Sequence, residues 1–211
     1  PDRRIHEKTG IELIRVPAGP FLYGDDKRTI ELPEFWIGRA PVTNEQYKRF
    51  MDGTGRDAPS HWSGNEPPAD KRDHPVVNVN WHDAKAFCDW AGLALPSEAQ
   101  WEKAARGTDG RKWPWGDDPP TKKQCNFGKN VGTTTAVGKY SSLGDSPYGC
   151  VDMAGNVWEW TASQANEGNG RILRGGSWGN EAEACRCALR YRRSSYHRND
   201  NLGFRVLVAP S

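Results

Sequence analysis

Gly149-Cys150-Val151-Asp152-Met153-Ala154-Gly155-Asn156-Val157-Trp158-Glu159-Trp160 sets glycine and tryptophan side by side around two acidic residues. Gly155 lies three residues before Trp158, and Gly176 and Trp178 repeat the association. A glycine lets two backbones approach closely, and a large ring can pack over the approach. Asn156 to Ala162 (NVWEWTA) reads as a short strand, the first of several: RILRGG and LGFRVLV follow before residue 208. Asp152 and Glu159 are hard oxygen donors, and the carbonyls of Gly155 and Val157 lie between them. Such a set suits calcium, which takes six to eight oxygens at about 2.4 Å. Spacing alone favours two turn or surface carboxylates.

Upstream, the period changes twice from strand to helix. Ile11-Glu12-Leu13-Ile14-Arg15-Val16 reads as a strand that breaks at Pro17-Ala18-Gly19-Pro20, and Phe35-Trp36-Ile37-Gly38 is a second apolar run. Thr43 or Asn44 caps a helix with Tyr47, Phe50 and Met51 on one face, ended near Gly53. Residues 52–75 are polar and form a long surface loop, followed by a short strand at Val76-Val77-Asn78-Val79. Asn80 and Gly92 bracket a helix that places Trp81, Ala84, Phe87 and Cys88 together. Ser97 and Gln100 form a capping box for a third helix that runs to Gly107. From Gly107 to Tyr148 turn residues dominate.

The composition agrees with a loop-rich α+β domain. The 211 residues include 23 Gly, 15 Pro and 10 Trp, with 36% hydrophobic residues. That glycine and proline content argues against a helical bundle. Each tryptophan can bury on the order of 200 Å², so few aromatics replace many aliphatics in a core. No linker or repeat divides residues 1–211, which read as a single domain. Net charge is +2, from 29 basic and 27 acidic residues, which makes no case for nucleic acid or a membrane surface. No apolar run approaches the roughly 18 residues of a membrane span, and the first ten residues lack the apolar stretch of a signal peptide. Localisation stays open. Five cysteines, Cys88, Cys125, Cys150, Cys185 and Cys187, leave at least one thiol unpaired within the chain. No CxxC is present, and free buried thiols of a reducing compartment are the simplest reading.

An ordered series of segments resembles the formylglycine-generating enzyme (sulfatase-modifying factor) family. It begins with Val16-Pro17-Ala18-Gly19-Pro20-Phe21 and Pro41-Val42-Thr43-Asn44-Glu45-Gln46-Tyr47. His74-Pro75-Val76-Val77, Trp81-His82-Asp83-Ala84 and Leu95-Pro96-Ser97-Glu98-Ala99-Gln100-Trp101-Glu102 continue it. The opening stretch, then Arg174-Gly175-Gly176-Ser177-Trp178 and Asn201-Leu202-Gly203-Phe204-Arg205, complete it. The resemblance implies a C-type-lectin-like α+β fold with short strands, two or three helices and many loops. It also implies one structural calcium ion at Asp152, Gly155, Val157 and Glu159. A second family calcium site is matched only at Asn126-Phe127, without the acidic partner expected downstream.

The family's oxidases convert a substrate cysteine to formylglycine with copper, oxygen and two cysteines. The first lies three residues after Gly-Gly-Ser and the second five further on. Here those positions hold Asn180 and Cys185. A carboxamide cannot supply the soft thiolate that copper(I) prefers, so the expected ligand set is incomplete. Cys187 is a substitute only if it shares a face with Cys185, as residues two apart on a strand do. A copper-dependent oxidase is therefore the alternative reading, behind a non-catalytic ligand-binding protein.

Residues 178–201 carry the preferred reading. Their frame is similar to the variable proteins of diversity-generating retroelements, in which adenine-directed mutagenesis alters exposed residues on a fixed lectin-like scaffold. The resemblance makes Arg186, Arg190, Arg192 and Arg198 scaffold. Asn180, Leu189, Tyr191, Arg193, Ser194, Tyr196, His197, Asn199 and Asp200 are the candidate variable, ligand-binding positions. Tyrosine, serine, asparagine and arginine are also the vocabulary of binding loops. The expected partner is a protein or other macromolecule. The competing reading is a structural C-terminus with its arginines in salt bridges and no diversification.

Overall fold

The computed structural model describes residues 2–166 and 168–208. Strands β1 (Arg3–His6), β2 (Ile11–Val16) and β5 (Phe35–Gly38) form an antiparallel sheet in the order β1-β2-β5, and β3 (Gly19–Tyr23) pairs with β4 (Arg28–Leu32). Three helices follow: α1 (Asn44–Thr54), α2 (Trp81–Ala91) and α3 (Glu98–Arg106). The C-terminal half supplies β6 (Trp158–Gln164), β7 (Gly170–Arg174), β8 (Tyr191–Ser194) and β9 (Leu202–Phe204), in the order β8-β7-β6-β9, with only β9 parallel to its neighbour.

Local chemistry fixes the helix ends. Thr43, Asn80 and Ser97 each accept the N3 amide, and Gln46, Asp83 and Gln100 reach back to the cap amide, completing three capping boxes. Gly55 and Gly92 end α1 and α2 in the left-handed region, which glycine enters without a Cβ clash. Helix α1 thus runs to Thr54, past the Gly53 expected as its end. The Val76–Val79 segment is not a strand. Asn78 turns left-handed at φ 58°, and only Pro75 bridges to Thr43. Strands β1, β3, β4 and β8 lie where sequence patterning indicates none. Among the described residues no helix is long and apolar enough to cross a membrane.

The four-stranded sheet separates two cores. Trp160, Leu173 and Phe204 join Tyr47, Phe50 and Phe87 of α1 and α2 in one buried cluster. Tyr47 stacks on Phe87 at 6.0 Å, and Phe204 meets Phe87 edge-on at 5.4 Å. A second cluster joins Ile14, Val16 and Ile37 to Trp101 and Ala104 of α3. Because side chains alternate along a strand, Glu159 points away from its tryptophan neighbours and toward α3.

Candidate functional site

None of the nine candidate positions is buried: Asn180 and Leu189 are half-buried and the other seven are exposed. Six of them, Asn180, Leu189, Tyr191, Arg193, His197 and Asn199, line a cleft of about 270 Å³ together with Trp158 and Leu202. Ser194, Tyr196 and Asp200 lie outside its lining. The cleft forms because β8 is the sheet edge, all four residues of which are exposed. Tyr191 stacks on Trp158 at 5.2 Å, and the Arg193 guanidinium lies 4.6 Å over the Tyr191 ring. Tyr196, 65% exposed, leans on His82 at 4.7 Å.

The mounting of this face comes from distant elements. Arg186 pairs with Asp25 at 2.6 Å, Arg190 with Glu98 at 2.6 Å, and Arg198 with Asp83 at 2.8 Å. Arg192 is engaged as well. The backbone is tied too: the Asn199 carbonyl accepts from Asn78, the Ser195 carbonyl from Trp81, and the Asn180 carbonyl from Gly128. Ser195 is buried, with its Oγ 3.1 Å from His82 Nε2, so it belongs to the support and not to the face. Trp158 reads as core in the sequence, yet its ring also forms one wall of the cleft. Arg171 and His82, beside the face, carry no sequence signal beyond their residue type.

Of the residues expected to hold calcium, Glu159 does not fit the role of a ligand. Glu159 is fully buried and both its oxygens are engaged: Oε2 accepts from Arg205 Nε at 2.6 Å and Trp101 Nε1 at 2.7 Å, and Oε1 from Arg205 Nη2 at 2.7 Å. An adjacent guanidinium opposes a dication at that carboxylate. Asp152 accepts the Gly138 amide at 2.6 Å, and burial pushes its carboxyl up to about 6. Among the described residues, the buried side-chain oxygens without a hydrogen-bond partner include Asn126 Oδ1, Asn130 Oδ1, Thr135 Oγ1 and Asp145 Oδ1. Among the described residues no three His, Cys, Asp or Glu side chains converge on a metal position.

The cysteines do not assemble a thiolate pair at the oxidase position either. All five are free and buried. Cys185 packs with Cys125 and Ala154, whereas Cys187 sits in the α3 core, so the two do not share a face. They diverge because Ala182–Cys185 is a short 3₁₀ turn and not a strand. Burial pushes both thiols up to about 12, which keeps them protonated at neutral pH. Asn180 Oδ1 accepts from the Ser177 hydroxyl at 2.6 Å.

Short strands, three helices and an exposed C-terminal cleft define an α+β domain of the C-type-lectin type. The family model for the sulfatase-modifying factor enzyme 1-like domain matches residues 3–210, and the chain belongs to that family. It is 31% identical to hercynine oxygenase of Mycolicibacterium smegmatis, across 78% of this chain and 54% of that protein. It is 40% identical to the inactive C-alpha-formylglycine-generating enzyme 2 of Bos taurus, across 64% of this chain and 50% of that one. The chain thus spans about half the length of these curated relatives. Among solved structures it is similar to Treponema denticola variable protein 1, with a TM-score of 0.79, 25% identity and 99% coverage of both chains.

Proposed function

We propose that this chain is a non-catalytic ligand-binding protein that presents the positions from Asn180 to Asp200 as a binding face open to diversification. One observation carries the reading: nine positions scattered over 21 residues are exposed or half-buried, while among the residues between them Cys185, Cys187, Ala188 and Ser195 are buried and Arg186, Arg190 and Arg198 pair with carboxylates. Likeness to a variable protein over essentially the whole chain supports it. A rigid mounting lowers the ordering cost of binding, about 0.5–1.5 kcal/mol per immobilised side chain. Side chains here can then change partner without refolding the domain. The partner is a protein or other macromolecule, because the exposed Ser194, Tyr196 and Asp200 extend the candidate face beyond the cleft.

The copper-oxidase reading draws support from catalytic relatives, but the thiols argue against it. Asn180 supplies no sulfur, Cys185 is buried and protonated, and Cys187 faces another core.

The test is a display library randomised at the nine positions and selected against a model protein. A largely folded library that yields specific binders is expected. If most members fail to fold, the positions are structural and the reading is overturned. Diversification has its own test: a nearby reverse transcriptase gene and a repeat matching this coding stretch except at adenines.

A further inference from the structure

Arginine pairing across residues 171–205 separates into two kinds. Arg174, Arg186, Arg190, Arg198 and Arg205 each meet a carboxylate. Arg171 and Arg193 do not: among the described residues, neither has an ion-pair partner. They are also directly opposed, as Cα partners in the antiparallel pairing of β7 with β8. Opposed residues of an antiparallel pair have Cβ atoms about 4.5–5.5 Å apart on one face of the sheet, and like charges there repel. A fold that needed only a filled surface would place an acid or a neutral residue at one of the two.

Aromatic rings take the place of counter-ions. The Arg171 guanidinium lies 4.0 Å over Trp81, and that of Arg193 lies 4.6 Å over Tyr191. Stacking holds a guanidinium by its flat face and leaves its N–H edge available for in-plane hydrogen bonds. Arg171 Nη1 donates to the Ala162 carbonyl at 3.3 Å, whereas its buried Nε has no partner. Arg193 itself lines the cleft beside Tyr191.

We propose that the opposed Arg171–Arg193 pair is a carboxylate-binding subsite, and that it receives an aspartate or glutamate side chain of a protein ligand. The subsite rests on the binding-face reading and deepens it, since it joins a framework cation on β7 to a candidate variable cation on β8. A carboxylate matches the planar N–H fork of arginine and relieves the repulsion between the two strands. Nucleic acid fits less well, because it needs an extended basic track. Here the flanking cations Arg190 and Arg198 are already neutralised by Glu98 and Asp83.

The probe is a random heptapeptide library displayed on phage, panned against the wild-type chain, Arg171→Gln, Arg193→Gln and Arg193→Glu. Wild type is expected to enrich peptides with an acidic residue at a recurrent position. Either glutamine variant should weaken the selected peptides about tenfold or more, the scale of a lost charge-assisted bond. Added salt should weaken them as well. Arg193→Glu should abolish the acidic preference and raise the melting temperature, because it converts an opposed like-charge pair into an opposite one. Enrichment without acidic bias, or binding unaffected by the Arg171 and Arg193 changes, overturns the subsite and leaves the binding face standing. A preference for oligonucleotides over every peptide, lost in the same variants, overturns the carboxylate assignment. No enrichment of any peptide overturns both readings.

Discussion

Arg205→Met is the sharpest test of how this domain is held together. The Arg205 guanidinium is fully buried and binds both oxygens of Glu159. It also donates to the carbonyls of Gly38, Arg39 and Val151, joining the end of β9 to β5, to the loop before β6 and to β6 itself. Methionine fills comparable volume without these donors. Removing one partner of a buried pair costs about 3–5 kcal/mol, because the other charge stays buried and unpaired. Here Trp101 still donates to Glu159, which softens the loss, while the three carbonyls lose a donor, which deepens it. We expect a loss of about 3–5 kcal/mol in urea unfolding and, for a domain of this size, a fall in Tm of roughly 6–20 °C. Glu159→Gln, combined with Arg205→Met, should cost less than the sum of the single changes, since the double variant leaves no orphaned charge. A loss below about 1 kcal/mol for Arg205→Met would refute the reasoning. The same series judges the metal. With Arg205 at Glu159, a chelator should leave the effect of Glu159→Gln unchanged, and a chelator response that vanishes in Glu159→Gln would restore the carboxylate as a calcium ligand.

Two further outcomes follow from buried groups. Burial holds the His74 imidazole below its ordinary pKa, and its Nδ1 lies 2.9 Å from Thr134 Oγ1. The unfolded chain therefore binds the proton more readily, so stability is fully present above about 6.5 and declines as pH falls below it; the decline should be smaller in His74→Gln in pH-resolved urea melts. All five thiols are buried with raised pKa values. Ellman's reagent should label none in the native protein and five after denaturation, and rapid native labelling of Cys185 would reopen the oxidase reading.

The helices were legible because their information is local. Thr43, Asn80 and Ser97, each followed three residues later by a side chain that reaches back, mark their starts almost unaided. Strands β1, β3, β4 and β8 are short and partly or wholly exposed, so alternation between apolar and polar residues is weak or missing; all of β8 is exposed. Tertiary pairing decides them. The candidate face was legible as composition, but its cleft was not, since Trp158 reaches it from β6. Glu159 shows the opposite case. Its spacing from Asp152 suggests a metal ligand, while its actual partner is Arg205, 46 residues away in sequence. Charge pairing across such a separation leaves no local trace.

The division of labour between core and face explains how one scaffold can tolerate change in so many adjacent positions. Substitutions at buried Glu159, Arg205, Glu102 or Arg174 each strand a charge in the interior, at about 3–5 kcal/mol. At the face, a substitution removes a ring stacking such as Tyr191 on Trp158 or Tyr196 on His82, worth about 0.5–1.5 kcal/mol when well packed. The intervening residues keep the segment in place: Arg186, Arg190 and Arg198 reach Asp25, Glu98 and Asp83, and buried Ser195 meets α2. Anchors and candidate variable positions are interspersed along the same stretch, so a new side chain at one position leaves its neighbouring anchors intact. A marginally stable domain can bear several such small losses at once, but few of the large ones. On the proposed reading, variation would fall where the structure loses least by it, and the same exposed positions are those a ligand would meet first.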